Sequence, residues 1–384
     1  MEYRKMENLG ISTSLLGFGC MRFPTNADGS INEAEALAMI DRAYHAGVTY
    51  FDTAYPYHEG RSEVVTGKAL ARYPRDSYYL ATKLPIWNVR TIADAERIFQ
   101  EQLDRLQKDY VDFYLMHALN GKSWEIVKNL GILAFCEKLR AAGKIKYLGF
   151  SFHDDYEVFE EILTSYKWDF CQIQLNYMDK DTQATLNGVE LAKKLGIPMV
   201  IMEPVKGGLL AKLPSDGIEE LFRKARPEAS ASSWALRYVG SFDNVKVVLS
   251  GMSTMEQVED NLSTFECFEP LSDTERAVIE KVADTLHSRV QNGCTGCRYC
   301  MPCPAGVDIP RCFRIWNQYH IYENEDEARW SWTKEMEDAK KASNCVRCGK
   351  CEQACPQHIA IREDLARLQK EMDDITGQQT TGKR

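Results

Sequence analysis

From residue 14 to about residue 262 the chain alternates eight short runs of β-branched and aromatic residues with longer stretches whose apolar residues recur at the helical period. The strand-like runs are Leu15–Met21, Val48–Ala54, Tyr78–Leu84, Tyr110–His117, Tyr147–Phe152, Phe170–Asn176, Pro198–Glu203 and Lys246–Gly251. Helix-like stretches between them include Glu33–Ala46, Ala93–Gln107, Ser123–Ala142, Asp181–Leu195 and Glu228–Tyr238, with Gly47, Gly143, Gly196 and Gly240 where helix C-caps are expected. Eight strand–helix units in succession point to an α/β fold closed into a (β/α)8 TIM barrel, which alone uses about 250 residues. An open doubly wound sheet fits less well. Leu16-Gly17-Phe18-Gly19-Cys20-Met21 lacks the third glycine of a dinucleotide-binding loop, and no helix start follows it.

At 384 residues the chain is longer than one barrel requires. Glu2–Thr13 alternates and reads as a small strand pair capping one barrel end, while Ser272–Val290 reads as a further amphipathic helix opened by a Ser272/Glu275 capping box. With 47 Lys and Arg against 56 Asp and Glu, the formal charge is −9 and no basic run offers a footprint for nucleic acid or an anionic membrane. No uncharged apolar stretch reaches about 18 residues and the first residues lack a signal-peptide core, so a cytoplasmic protein with neither partner is expected.

In such a barrel the reactive groups sit at the C-terminal ends of the strands. Here nearly every strand ends on a polar residue: Asp52, Lys83, His117, Ser151, Gln172 with Asn176, and Glu203. Each has a bland alternative: Asp52 as a turn cap, His117 as a satisfied loop histidine, Lys83 as a solvated cation. Together they converge on one polar site. Tyr57, five residues beyond Asp52, can place its hydroxyl beside the Lys83 ammonium. At an effective dielectric of about 20 and a separation near 4 Å, that charge stabilises a phenolate by roughly 4 kcal/mol, about three pKa units. The expectation is a phenol whose pKa falls from about 10 towards the working range of a general acid. Asp52 would orient Lys83, and His117 would position a carbonyl or share the proton.

Phe51-Asp52-Thr53-Ala54-x-x-Tyr57, followed by Ser62-Glu63 and Gly67, resembles the signature of the aldo-keto reductases. Ala81-Thr82-Lys83, Leu115-Met116-His117, Gly149-Phe150-Ser151 and Gln172-x-Gln174-x-Asn176 match that family's later motifs in order. The resemblance implies a catalytic tetrad of Asp52, Tyr57, Lys83 and His117, with Tyr57 protonating a carbonyl oxygen as hydride arrives from NAD(P)H. It implies that Ser151 and Gln172, with Asn176 beside them, hold the nicotinamide, and that the Ser250–Asn261 segment, including Ser250, Gly251, Gln257 and Asn261, takes the adenosine end. Phe152 and Met202 depart from the asparagine and the stacking tyrosine that the family often has. Gly251 and Gln257 stand where NADP-preferring relatives carry Lys and Arg, with Lys206 or Arg223 as substitutes, so NAD and NADP both stay open. Phe23, Tyr55, His58, Trp87 and Asn88 are candidate substrate-pocket residues.

Of 13 cysteines, nine fall after residue 290. Cys345-x2-Cys348-x2-Cys351-x3-Cys355-Pro356 is the bacterial ferredoxin run for a [4Fe–4S] cluster, whose last cysteine commonly serves the other cluster. Cys294-x2-Cys297-x2-Cys300-x2-Cys303-Pro304 is a near copy, one residue shorter before its Cys-Pro. Four cysteines within ten or eleven residues, twice, exceed what a zinc ribbon needs. In a swapped pattern one cluster takes Cys294, Cys297, Cys300 and Cys355 and the other Cys303, Cys345, Cys348 and Cys351. Cys312 reads as a spare buried cysteine. Cys20, Cys136, Cys171 and Cys267 read as small core residues, with Cys20 also placed to line the pocket mouth.

The whole chain resembles an aldo-keto reductase joined to a small, mainly α-helical, dicluster ferredoxin-type domain. The expected layout is a barrel over 1–270, a connecting helix over 271–290, the iron–sulfur domain over 291–372 and a flexible tail over 373–384. The leading expectation is an NAD(P)-dependent oxidoreductase acting on a small carbonyl or alcohol, with two [4Fe–4S] clusters for electron transfer or structure. A redox protein partner is left open. The rival is an iron–sulfur electron carrier or redox sensor whose barrel only binds nucleotide.

Overall fold

The computed structural model describes residues 1–214 and 217–377. The chain divides into two compact units, residues 1–212 with 226–277, and residues 213–225 with 278–384. The first unit opens with an antiparallel hairpin of β1 (Tyr3–Met6) and β2 (Ile11–Ser14). Eight parallel strands follow: β3 (Leu16–Gly19), β4 (Tyr50–Asp52), β5 (Tyr79–Pro85), β6 (Val111–Leu119), β7 (Ile145–Phe152), β8 (Phe170–Gln174), β9 (Met199–Met202) and β10 (Val245–Gly251). They pair in sequence order, and β10 also pairs with β3, closing the barrel. The expected (β/α)8 architecture is therefore the observed one.

The barrel interior is filled by side chains. Tyr50, Ala81, Phe113, Leu115, Phe170, Val200, Val247 and Leu249 form one buried cluster, and Met6 of the hairpin packs into it. The hairpin thus caps the barrel, as its alternation suggested. The larger core lies between the strands and the surrounding helices. Helix Glu33–His45 is opened by Asn32, whose side chain accepts from the Glu35 amide. Helix Ile92–Leu106 starts with a Thr91/Asp94 capping box. Ser272 and Glu275 form the anticipated capping box at the head of helix Asp273–His287, with Ser272 N donating to Glu275 Oε2 at 2.9 Å and Glu275 N to Ser272 Oγ at 3.3 Å.

Two local expectations fail. Ser123–Ala142 is not one helix: it breaks at Gly131, whose φ of 70° caps Gly121–Leu130 and starts Ile132–Ala141. Gly240 is the last residue of helix Ala231–Gly240 and takes no left-handed cap; a Cβ there would lie 2.9 Å from the Phe268 ring, so the glycine serves close packing.

The second unit is mainly helical, with helices Ile309–Tyr322 and Ile361–Thr376 packed around buried Phe313, Trp316, Trp332, Leu365 and Leu368. The expected flexible tail is corrected in part. Asp373–Thr376 complete the last helical turn and Gly377 caps it with φ 68°, while 378–384 lie outside the described residues.

Candidate active site

The strand register brings the polar residues at the strand ends to one rim. Asp52 closes β4 opposite Ala81, Lys83 lies two residues further along β5, and Pro85 of β5 is paired with His117 of β6. Tyr57 begins a turn, Tyr57–Gly60, in which His58 and Glu59 adopt left-handed backbone angles, φ 48° and 55°. Such conformations in non-glycine residues cost on the order of 1–3 kcal/mol and are maintained only where packing enforces them. The enforcement is visible behind the turn. Ser62 Oγ donates to Cys20 O at 2.8 Å, and Glu63, fully buried, accepts from Thr82 Oγ1 at 2.6 Å and pairs with Arg105 at 3.2 Å. Gly67 has no side chain because a Cβ there would lie 2.2 Å from the Leu106 carbonyl oxygen.

Lys83 has no solvent exposure, yet its Nζ donates to Asp52 Oδ1 at 2.5 Å and to Thr53 O at 2.8 Å. The same ammonium lies 5.0 Å from the centre of the Tyr57 ring, and the His117 ring meets that of Tyr57 edge to face at 5.8 Å. The four expected tetrad residues are thus brought together. Burial opposes the Lys83 cation, but Asp52 and Tyr57 outweigh it and raise its pKa, so the proton stays on the amine. Burial also raises the Asp52 carboxyl, against the pull of Lys83.

The phenol itself corrects the expectation. Burial raises the Tyr57 pKa above its ordinary value; Lys83 pulls it down and Asp52 pushes it up again. Lys83 does not act as a bare cation, because its charge is largely answered by Asp52 at 2.5 Å. His117 is driven well below the usual imidazole range by burial, then by Lys83 and His153, so it is neutral. The resulting site holds a protonated phenol, a neutral imidazole and a buried ammonium–carboxylate pair.

These groups open into a cleft of about 490 Å³ lined by Asp52, Tyr57, His117, Ser151, Gln172, Met202, Ser250, Gly251, Gln257 and Asn261, among others. Asp52 Oδ2, His117 Nδ1 and Gln172 Oε1 are buried there with no hydrogen-bond partner among the described residues. Buried polar atoms are rarely left so, and three on one cleft indicate a polar ligand. Ser151 Oγ accepts from the Ala118 amide at 2.8 Å, and Gln172 Nε2 donates to Met202 Sδ at 3.4 Å. At the other end Asn261 Nδ2 donates to Ser250 Oγ at 2.8 Å and Gln257 Oε1 accepts from the Ser253 amide at 2.7 Å.

Several expected residues play other parts. Asn176 does not line the cleft: its amide group donates to Asp179 and to Glu203 O, and its oxygen accepts from the amides of Met178 and Asp179, which exhausts it in holding a loop. Lys206 is tied to Asp179, and Arg223 pairs with Glu220 on its own helix. Cys20 is fully buried, its thiol pushed up to about 12 by burial, and Cys267 is exposed, not a core residue. Cys136, Cys171 and Cys312 are buried as expected. Of the proposed pocket wall, Tyr55, Trp87 and Asn88 line a separate shallow recess, although the Trp87 ring still reaches 5.0 Å from that of His117. Phe23 is buried against the His58 ring at 6.0 Å.

One residue was missed. Arg22 is the only lysine or arginine among the described residues that line the cleft. Its side chain crosses Gly251, where a Cβ would sit 2.8 Å from Arg22 Cγ, and its guanidinium points towards Gly207, which with Gly208 has positive φ. The repeated Gly-Gly in Val205-Lys206-Gly207-Gly208 was the available clue, but Arg22 carries no local pattern that marks it.

In the second unit the cysteines line two cavities. One is walled by Cys294, Cys297, Cys300 and Cys355 with Pro310, Phe313 and Ile359; the other by Cys300, Cys303, Cys345, Cys348 and Cys351 with Pro302, Ile309 and Leu365. Cys312 lines neither. Sulfur donors around an apolar hollow are the set that iron–sulfur clusters use. Among the described residues no three His, Cys, Asp or Glu side chains gather as they would around a single metal ion.

The family model for the aldo/keto reductase family matches residues 15–284, and that for a 4Fe-4S dicluster domain matches residues 293–360. L-galactose dehydrogenase of Arabidopsis thaliana is 28% identical over 287 residues, 68% of this chain and 88% of that protein. Among solved structures, aldo-keto reductase AKR11C1 from Bacillus halodurans in its holo form is 28% identical with a TM-score of 0.62, covering 73% of this chain and 96% of its own. An aldo-keto reductase from Klebsiella pneumoniae, solved with NADP and acetate, shares the fold at 22% identity and a TM-score of 0.58, covering 71% of this chain and 93% of its own. No described helix is long and apolar enough to cross a membrane. With its closed barrel, its buried Lys83–Asp52 pair and a family match over most of its length, the chain belongs to the aldo/keto reductase family, with a 4Fe-4S dicluster domain at its C-terminal side.

Proposed function

We propose that this oxidoreductase interconverts a small carbonyl compound and its alcohol with NAD(P)(H), and that Tyr57 is the group that gives and takes the proton. The observation that carries this reading is the position of the Tyr57 phenol between a buried ammonium and a neutral imidazole, at a cleft with unpartnered polar atoms. When bound, NAD(P)H supplies hydride to the carbonyl carbon. Tyr57 donates its proton to the carbonyl oxygen as negative charge develops there, and Lys83 stabilises the phenolate left behind. His117, uncharged, holds the carbonyl oxygen by a hydrogen bond. Gln172 and Ser151 would hold the carboxamide of the nicotinamide, Asn261 and Ser250 the adenosine end, and Arg22 would supply the positive charge for a phosphate.

For the second unit the reading is two [4Fe–4S] clusters, one on Cys294, Cys297, Cys300 and Cys355 and one on Cys303, Cys345, Cys348 and Cys351. Cys294, Cys297 and Cys355 line one cavity only and Cys303, Cys345, Cys348 and Cys351 the other only, with Cys300 on both, which supports that pairing. Each cluster, when bound, exchanges one electron at a time.

The test is Tyr57→Phe, which keeps the ring and removes the proton. Turnover of a panel of aldehydes and ketones with NADH and NADPH should fall by orders of magnitude while nucleotide affinity stays within a few-fold. Wild-type turnover in the variant would rule the assignment out.

A further inference from the structure

The two sulfur-lined cavities differ in what surrounds them. The one holding Cys294 and Cys297 has a single charged residue in its wall, Arg298, which faces Asp308 at 3.8 Å. The one holding Cys345, Cys348 and Cys351 is walled by Arg347, Lys350 and Arg362 and by no carboxylate. An adjoining groove shares Cys345, Arg347 and Arg362 and adds Lys370 and one buried carboxylate, Asp373, so that three cations face one acid there. Arg362 is paired with Glu352 at 2.6 Å, whereas Lys350 and Lys370 are in no ion pair among the described residues. A local excess of cations is unexpected in a chain whose formal charge is −9.

The same mouth carries exposed apolar side chains beside these cations. Tyr299 and Val346, both in the wall, are 71% and 68% exposed, the most exposed large hydrophobic side chains among the described residues. Cys348, between Arg347 and Gly349, is itself exposed. Exposed apolar side chains with charges beside them are what a protein–protein contact combines. Electron-transfer encounters are typically small and weak, and opposite charge steers them.

We propose that this surface docks a small acidic one-electron carrier protein, with Tyr299 and Val346 as its apolar contacts and Arg347, Lys350 and Lys370 as its charged ones. This rests on reading the Cys345 cavity as a cluster site. The transfer balances without bond making: the cluster loses one electron and the oxidised carrier gains it, or the reverse when the carrier arrives reduced. Arg298 alone gives the other cavity no comparable charge, so the carrier selects this side.

The experiment uses the full chain with both clusters reconstituted and counted by iron and sulfide analysis. Anaerobically reduced protein is mixed in stopped flow with an acidic flavodoxin-type carrier, and separately with a basic c-type cytochrome. The expected result is a second-order rate with the acidic carrier that falls at least tenfold between about 20 mM and about 500 mM salt, as screening of steering charges requires. The double charge reversal Lys350→Glu, Lys370→Glu should lower the low-salt rate by a similar factor. Iron content, the electron paramagnetic resonance of the reduced clusters and carbonyl turnover should stay unchanged. Full iron content with a rate insensitive to both salt and charge reversal overturns the docking reading alone, as does faster transfer to the basic cytochrome at low salt or equal competition by duplex DNA. Missing iron at this cavity overturns the cluster reading, and the docking reading with it.

Discussion

Lys83 and Tyr57 lie with the ammonium 5.0 Å from the ring centre, but the charge that faces the phenol has already been answered by Asp52 at 2.5 Å. The pair therefore tunes the phenol less than an isolated cation would, and burial has the larger say.

The ion pair is buried on both sides, so removing one partner strands the other. Lys83→Met should destabilise the barrel by about 3–5 kcal/mol, because the Asp52 carboxylate is left without its counter-charge. Adding Asp52→Asn should restore most of the melting temperature but none of the carbonyl turnover. Thermal unfolding and kcat, measured together on the single and double variants, check this; a single variant as stable as the parent would remove the pair from the account.

The pH dependence follows from the directions of the shifts. Tyr57 is raised above its ordinary value, so its phenol keeps its proton through neutral pH and into the alkaline range, and carbonyl reduction should be flat from about pH 6 to about pH 9. Alcohol oxidation needs the phenolate and should climb with pH over the same interval. His117 is lowered well below the imidazole range, so no acidic limb near pH 6.5 belongs to it. Profiles of kcat in both directions decide the matter, and a reduction rate that falls on passing pH 8 would contradict it.

Arg22 is the one lysine or arginine among the described residues that line the cleft, and a charged hydrogen bond to a phosphate contributes about 1.5–3 kcal/mol. Arg22→Ala should weaken NAD(P)H binding roughly tenfold to a hundredfold. Binding of a bare nicotinamide riboside, which has no phosphate, should be unaffected. Gly251→Ala should act in the same direction, since its methyl group would press on Arg22 Cγ at 2.8 Å. Fluorescence titration separates these outcomes; equal affinities in parent and Arg22→Ala would detach this residue from the phosphate.

The cysteine pairing makes a crossed prediction. Cys303 lies in sequence with the first run but in space with the second. Cys303→Ser should remove the same cluster as Cys348→Ser, roughly halving the iron and leaving the spectrum of the Cys297-bound cluster. A Cys303→Ser spectrum that matches Cys297→Ser would mean the pairing follows the sequence instead.

Much of this was legible along the chain because the relevant patterns are short-range. A strand's two-residue alternation, a helix's apolar stripe and a Cys-x2-Cys spacing are each contained within a few residues, and they gave the eight-stranded barrel and the sulfur-rich second unit. The polar residues ending β4 to β8 were readable for the same reason, since barrel topology carries every strand end to one rim. What tertiary structure decided were quantities summed over neighbours distant in sequence. The Tyr57 pKa turns on how much chain packs around it, Asn176 is spent on partners in two loops, and Arg22 meets Gly251 and Gly207 only because β10 closes against β3. Spacing sets which groups exist; burial and closure set what each of them faces, and therefore its charge and its use.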